Sequence, residues 1–260
     1  MKSKKLVITS DDFGMCHAVN SGIVRAMTEG VVRSTNFLVP CSWFPEAIEL
    51  ARRHELSAGV HLCLTCEWDH MRWRPLTKAP GLCDASGYLL PSFGALEATA
   101  RDEEMYGEFK AQVECVEKLG FPLTHVDTHM FGSGFEGPFA RRVRDVIERV
   151  CAEHGLSYTF AVRGSELAHF TGQFGLSGTP PEALWQQLES CGDGVYILTG
   201  HAAEPSPELE ALCSVGHWGR SWAASYRVAD LVWFTSPSTR ERLSSLGFEL
   251  VDARSVLAQK

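Results

Sequence analysis

Two adjacent carboxylates, Asp11 and Asp12, follow a short apolar strand in the segment LVITSDDFG. Like charges side by side repel each other, so this placement indicates a bound cation nearby. Further along, GVHLCLT places His61 within an apolar strand, and THVDTH ends another strand at His129. Two imidazoles and one carboxylate, with open positions for water, are a common ligand set of catalytic metal sites. The three segments together predict a site for a divalent ion.

The alternation in THVDTH divides the roles of its polar residues. His125, Asp127 and His129 share one face of a continuous strand, where neighbours on that face lie about 6–7 Å apart. We therefore expect one ligand, His129, which lies nearest the carboxyl end of the strand. Asp127 is predicted to orient a ligand imidazole, and His125, deeper in the strand, to have a structural role.

Two further polar residues follow predicted strands, Arg163 after FAV and His201 after YILTG. Arg163 is predicted to orient Asp11, to bind substrate or to form an ordinary salt bridge. Each strand-end group also has an interpretation without catalysis. A lone histidine is often a satisfied, partly buried residue, and Asp11 or Asp12 could cap the helix that follows. The functional interpretation depends on several such groups converging at one end of a sheet.

The elements that must position these residues alternate between strands and helices. Amphipathic helical patterns separate the predicted strands, which are KLVITS, STNFLVP, SAGVHLCLT, LTHVDTH, SYTFAVR, GVYILTG and GFELVDA. Such alternation indicates a parallel α/β sheet. At this length, a single domain over residues 1–260 is favoured, built as a distorted or incomplete (β/α) TIM-like barrel with about seven parallel strands. An open doubly wound sheet is the alternative. Neither G-x-G-x-x-G nor G-x-x-x-x-G-K-[ST], the glycine motifs of nucleotide-binding sheets, follows a predicted strand.

Composition narrows the classes of partner. The chain has 260 residues, 45% of them hydrophobic, and a formal net charge of -8. This acidic balance argues against nucleic acid and anionic membranes as partners, and no apolar run approaches the roughly 20 residues that span a bilayer. The basic start reads as a first strand rather than a signal peptide. Nine scattered cysteines indicate reduced thiols, and with them a cytoplasmic location.

Residues 66–100 form a long irregular stretch that contains Trp68, Trp73 and Tyr88. Loops of this length inside a compact domain are usually functional. Its aromatic rings are expected either to line a sugar site or to pack the loop onto the barrel. The C-x-x-C at Cys63 and Cys66 has no second pair, so a redox or zinc role is not favoured.

Five segments, in order and with comparable spacing, resemble the YdjC-like carbohydrate deacetylases. The similarity is dense from about residue 5 to 130 and thinner beyond, and its segments are SDDFG, NSGI, GVVRST, GVHLCLT and THVDTH. That group includes chitooligosaccharide deacetylases, which remove an N-acetyl group from chitobiose-type sugars. The resemblance implies a distorted (β/α) barrel and a small carbohydrate substrate, and a homodimer would be unsurprising.

The resemblance also implies roles for individual residues. Asp12, His61 and His129 match the ligands of a divalent ion, Asp11 matches the general base, and His201 matches the general acid. Asn20 and Gln112 match recurrent polar positions without an assigned role. Donor softness favours Zn²⁺ or Mn²⁺ (iron is also compatible) over Mg²⁺, whereas the family is often described with Mg²⁺, so the ion stays open. The chain departs from the family pattern in DTHMFGSG, which lacks further histidines, and in HAAE, which replaces His-Pro-Gly.

The sequence is also compatible with two other functions. One is another metal-assisted barrel hydrolase, acting on a phosphoester or a cyclic amide, although SDDFG does not match the H-x-H opening typical of di-metal amidohydrolases. The other is a sugar-binding protein that keeps the fold without turnover. Metal content separates binding from catalysis, and acetate release separates the hydrolases.

Overall fold

The computed structural model describes residues 4–131, 135–159, 172–214, 219–220 and 222–257. The strands are β1 (Lys4–Phe13), β2 (Ser34–Phe37), β3 (Ala58–Leu62), β4 (Val126–Thr128), β5 (Gly172–Gly175), β6 (Gly194–Gly200), β7 (Cys213–Ser214), β8 (Gly219–Arg220) and β9 (Phe248–Val251). The helices are α1 (His17–Thr28), α2 (Phe44–Arg53), α3 (Phe93–Leu96), α4 (Asp102–Lys118), α5 (Pro138–His154), α6 (Pro181–Glu189), α7 (Pro207–Glu210), α8 (Trp222–Thr235), α9 (Pro237–Ser245) and α10 (Ala253–Val256).

The main sheet is parallel throughout, in the order β4-β3-β2-β1-β6-β5. The last strand, β9, pairs with the first half of β1, and β2 pairs with its second half. Beyond β4 the chain adds a parallel bridge between Val126 and Tyr158. This curved sheet of seven strands, covered by helices, is the predicted incomplete (β/α) barrel.

The core follows from the sequence of β1, which is buried on both faces as parallel strands usually are. Leu6 and Ile8 belong to the main core, whereas Val7 packs on the opposite face with Ile197, Ala253 and Leu257. All three β1 residues are completely buried. Successive side chains of β1 point to opposite faces of the sheet. This apolar run therefore sets the register of β1 with β6 on one side and with β2 and β9 on the other.

Proline and glycine mark the ends of several helices. Proline opens α2 and α5 in the first turn, where its missing N–H costs nothing. Gly155 ends α5 in the left-handed conformation, with φ at 63°. Within the described part of the chain, no helix has the length and apolar character needed to cross a membrane.

Six of the seven predicted strands are found among the described residues, and several of them are shorter than predicted. GVYILTG matches β6 completely, whereas STNFLVP and LTHVDTH form shorter strands than expected. For SYTFAVR the structure describes 157–159, with Tyr158 bridged to β4, and the rest of that segment lies outside the described residues. The sequence reading missed β5, because its residues include two glycines and no alternating apolar pattern.

The long stretch over residues 66–100 packs onto the barrel. Trp68 and Trp73 are buried, and Trp73 donates a hydrogen bond from Nε1 to the carbonyl of Thr65. Glu108 of α4 accepts hydrogen bonds from both Thr77 groups, N–H and hydroxyl, and from the N–H of Leu76. These contacts favour packing over sugar stacking for the two tryptophans.

Candidate active site

A backbone irregularity at the end of β1 turns both carboxylates towards one cavity. The register with β2 shifts between Ser10 and Phe13, and Asp12 has a left-handed φ of 70°. On a regular strand, consecutive side chains point to opposite faces, but a bulge re-aims one of them. Asp tolerates this conformation better than most residues. As a result Asp11 and Asp12 both line the same cavity.

The predicted ligands Asp12, His61 and His129 come together at this end of the sheet. Each offers one ligand atom within 4.8 Å of the others, and all three residues are buried. Oδ1 of Asp12 lies 3.4 Å from Nε2 of His61 and 3.1 Å from Nδ1 of His129. Among the described residues, Nδ1 of His61 is buried without a hydrogen-bond partner. A buried donor set of two imidazoles and one carboxylate fits a divalent ion.

A second carboxylate, Glu67, completes the surroundings of His129. Its Oε2 lies 2.9 Å from Nε2 of His129, so each ring nitrogen of His129 faces a carboxylate. Burial alone would lower the pKa of His129, but Glu67 and Asp12 raise it to about 10. The carboxylates of Glu67 and Asp12 therefore favour a positive charge at this place in the cavity. The sequence reading missed Glu67, whose signal is an acid five residues beyond β3 in an otherwise uncharged run.

Arg227 approaches Asp12 from helix α8, a part of the chain that the motifs did not indicate. Its Nη2 donates to Oδ2 of Asp12 at 2.5 Å, and both side chains are buried. Burial favours the neutral form of Asp12, yet Arg227 and His129 hold the pKa of this carboxyl well below its usual value. Asp12 is therefore a permanent carboxylate shared between an arginine and two imidazoles.

Asp11 has a different environment from its neighbour. It accepts hydrogen bonds from Nδ2 of Asn36 at 3.0 Å and from the hydroxyl of Thr9 at 3.4 Å. Burial raises its pKa to about 7, and the charges of Asp127 and Asp12 act in the same direction. Two carboxylates adjacent in sequence thus have opposite pKa shifts, downward for Asp12 and upward for Asp11.

The other residues of THVDTH lie deeper, and one prediction for them is wrong. Asp127 accepts hydrogen bonds from the hydroxyl of Thr159 and the N–H of Thr128. The predicted contact with a ligand imidazole is instead made by Glu67, because the chain turns after Thr128 and carries the ring of His129 towards that acid. His125 is buried beside Thr124, whose hydroxyl lies 2.6 Å from its Nδ1, as expected for a structural residue.

His201 follows β6, the strand that pairs with β1, and lines the same cavity. Its Nδ1 lies 2.8 Å from the hydroxyl of Ser177, which in turn donates to Asp230. Asp230 also accepts the backbone N–H of His201, so one carboxylate holds the backbone directly and the ring through a serine. Burial, with Arg227 adding to it, lowers the pKa of His201 to about 3. Arg163, the remaining predicted residue, lies outside the described residues.

The cavity between these groups has a volume of about 560 Å³. Its polar lining comes from the ends of β1, β3, β4 and β6, from the segments that follow β3 and β5, and from α8. That arrangement matches barrel enzymes, whose sites form at the carboxyl ends of the strands. Its charged, imidazole and hydroxyl-bearing residues are Asp11, Asp12, His61, Glu67, Thr128, His129, Ser177, Thr179, Thr199, His201, Tyr226 and Arg227.

Asn20 and Gln112, which the sequence left without roles, support the backbone of the site. Asn20 accepts the N–H of Gly14 and donates to the carbonyl of Trp43, which fixes the turn after Asp12. Gln112 bonds to both the N–H and the carbonyl of Cys63, at the end of the strand that holds His61. Neither side chain is among those that line the cavity.

Fold and site together define a class: an α/β barrel with a buried Asp-His-His cluster at the carboxyl ends of its strands. The chain belongs to the YdjC-like protein family, whose family model matches residues 5–245.

Similar proteins support this membership. A carbohydrate deacetylase from Thermus thermophilus is 31% identical over 80% of each chain, and one from Vibrio campbellii is 28% identical over 98% of each chain. The crystal structure of a proposed cellobiose-phosphate cleavage protein from Enterococcus faecalis superposes with a TM-score of 0.83. It is 26% identical in sequence, and the match covers 98% of this chain and 100% of that one. A peptidoglycan N-acetylglucosamine deacetylase shares the fold, with a TM-score of 0.51 at 13% identity, over 98% of this chain and 90% of that one.

Proposed function

We propose that the protein is a metal-dependent hydrolase that removes the acetyl group from N-acetylated sugars of the chitooligosaccharide type. The observation that carries the proposal is the one cavity that the cluster of Asp12, His61 and His129 lines together with Asp11 and His201. The names of the relatives, carbohydrate deacetylases from several bacteria, support the reaction and the substrate class.

Amide hydrolysis needs a nucleophilic water, stabilisation of charge on the carbonyl oxygen, and a proton for the leaving amine. Asp12, His61 and His129 would hold a divalent ion, which lowers the pKa of a bound water and polarises a carbonyl. Asp11 lies beside these ligands and would accept the proton of the attacking water. Burial keeps the ring of His201 neutral in the free protein. His201, held by Ser177 and Asp230, would therefore take up a proton from solvent as negative charge develops on the substrate, and give it to the nitrogen as the carbon–nitrogen bond breaks.

The donor set narrows the choice of ion. Imidazole nitrogens suit Zn²⁺ and Mn²⁺ better than Mg²⁺, which prefers oxygen ligands and retains its water. The cluster has two imidazoles among three ligands. We therefore propose Zn²⁺ or Mn²⁺ as the native ion, with Mg²⁺ as the alternative to compare.

The test is acetate release from diacetylchitobiose and from a panel of N-acetyl sugars. Metal-stripped protein is assayed after addition of zinc, manganese or magnesium, beside Asp11→Asn and the control Asp145→Asn on the exposed face of α5. We expect metal-dependent acetate release in the wild type and in the control, and loss of about 100-fold or more in Asp11→Asn. No acetate with any ion, although the site binds it, would contradict the proposal.

A further inference from the structure

Arg227 has more hydrogen-bond donors than the protein uses. Its Nη2 bonds to Asp12, but Nε and Nη1 are buried and have no acceptor among the residues that the structure describes. The residue is 3% exposed. Buried donors are nearly always satisfied in proteins, because leaving one unpaired costs free energy. Arg227 also lines the cavity, so an acceptor that enters from the cavity could satisfy these donors after a small shift of the side chains that bury them.

The surroundings of Arg227 make it the natural position for an anionic ligand atom. Among the described residues that line the cavity, it is the only lysine or arginine, and three lining residues are acids. Its backbone carbonyl accepts the N–H of Ala203, two residues beyond His201. Arg227 thus contacts both the segment that follows His201 and the carboxylate of Asp12, which is next to Asp11.

We propose that Arg227 binds the oxygen of the acetyl group during the reaction and then the acetate product, an inference that rests on the proposed function. When the water oxygen bonds to the carbonyl carbon, the π electrons move to the carbonyl oxygen, and the water proton goes to Asp11. Arg227 donates to that oxygen as its negative charge develops. The carbon–nitrogen bond then breaks, the amine takes a proton from His201, and the carbonyl forms again as acetic acid, which ionises to acetate.

The guanidinium group suits this role better than a lysine would. It stays charged at every relevant pH, and its planar fork can donate two parallel bonds to a carboxylate. One N–H of Nη2 serves Asp12, and Nε and Nη1 are free but lie on different edges of the guanidinium group. A carboxylate would therefore be held by one of these two donors together with the second N–H of Nη2. A single residue would therefore fix the carboxylate of Asp12 and receive the acetyl oxygens.

The competing explanation is that Arg227 only supports Asp12 and acts through the metal ligands. The two explanations differ in acetate binding at saturating metal. A residue that only supports Asp12 changes metal affinity, and excess metal corrects the defect. A residue that binds the acetyl oxygen changes acetate affinity even when the metal site is full.

The experiment measures two affinities in the full-length protein, zinc by competition with a chelator and acetate by calorimetry with excess zinc. The variants are Arg227→Gln and Arg227→Lys, with Arg242→Gln, a half-exposed arginine outside the cavity, as control. We expect acetate affinity to fall at least tenfold in Arg227→Gln and less in Arg227→Lys, which keeps the charge but loses the fork. The control should bind acetate like the wild type.

Unchanged acetate affinity in a folded, zinc-saturated Arg227→Gln, or no acetate binding by the wild type, would overturn the inference. If Arg227→Gln fails to fold, Arg227→Lys decides by the same criterion. Acetate binding that depends on Arg227, in a protein that releases no acetate from sugars, would sustain the anion site while the proposed deacetylation fails. The two claims are therefore tested separately.

Discussion

The two sides of the cavity are built on different principles. The metal wall, formed by Asp12, His61, Glu67 and His129, is a set of charged and imidazole groups, each within 3.4 Å of at least one other. The relay wall, formed by Ser177, His201 and Asp230, is a chain of hydrogen bonds in which one histidine is held by one acid. The metal wall can attract a cation electrostatically, whereas the hydrogen bonds of the relay wall orient the imidazole ring of His201. Loss of one of the three proposed ligands Asp12, His61 and His129 should therefore abolish function, whereas changes in the relay wall should reduce it.

The largest effect is expected where the metal wall loses a ligand. In His129→Asn, the cluster keeps only one imidazole, so bound zinc should fall below one tenth of the wild-type content. Acetate release should fall by about a thousandfold or more, since the ion supplies both water activation and polarisation of the carbonyl. Metal analysis and the acetate assay check this, with the exposed His70→Gln as control. Full zinc content in His129→Asn would remove His129 from the ligand set.

A smaller effect is expected at Glu67, which contacts a ligand without being one of the three. Outer carboxylates that orient a ligand histidine typically contribute about 10–100-fold to metal affinity. Glu67→Gln should weaken zinc binding within that range, and excess zinc should restore most of the acetate release. Chelator competition provides the measurement, and Glu97→Gln on the same long stretch is the control. An activity loss that zinc does not restore would instead place Glu67 among the groups that act on substrate.

On the relay wall, Ser177→Ala should lower kcat by about tenfold and leave zinc affinity unchanged. The variant removes the hydroxyl between His201 and Asp230, so the ring loses its orientation while the backbone bond to Asp230 remains. Ser177→Thr, which keeps the hydroxyl, should retain most of the rate. A parallel loss of zinc affinity in Ser177→Ala would show that the two walls are not independent.

The smallest effect on catalysis, and a measurable one on stability, is expected beneath the metal wall at His125. Burial lowers its pKa from 6.5 to about 3, with His61 contributing in the same direction and Asp252 opposing it. The unfolded chain therefore binds a proton between these pH values and the folded chain does not. Stability from this residue is complete above pH 6.5 and is lost as the pH falls, by about 1.4 kcal/mol per unit.

His125→Gln should flatten this part of the pH profile of unfolding. Urea midpoints measured from pH 7 to pH 4.5 would show a shallower fall in the variant than in the wild type. The exposed His54→Gln should leave the slope unchanged. Equal slopes in wild type and His125→Gln would mean that His125 takes up its proton in the folded state.

The two walls also differ in how far they could be predicted from the sequence. Strand–helix alternation predicts the barrel, and the ends of β1, β3 and β4 carry the ligands of the metal wall within short, recognisable segments. A strand end has a defined place in a parallel barrel, so Asp12, His61 and His129 could be predicted to meet. β5 was missed because its glycines give no alternating pattern.

The relay wall and Arg227 could not be found in that way. Ser177 lies on a turn after β5, and Arg227 and Asp230 lie on α8, where charged residues are usual on a solvated face. The contacts of α8 with the end of β6 place these two side chains at the cavity. No pattern in a single sequence predicts these contacts. Glu67 was missed for a similar reason, because an acid in a long loop has no fixed position until the loop folds.

The contact between Arg227 and Asp12 joins residues that lie 215 positions apart, whereas Asp12 and His129 lie 117 positions apart. A chain that grows from its N-terminus contains all three ligand residues long before it contains Arg227. However, β1, which carries Asp12, pairs with β6 and β9, and both of these strands follow the three cluster residues in the chain. The cluster of Asp12, His61 and His129 is therefore assembled only late in synthesis, and a protein that binds an ion there has already folded its C-terminal strands.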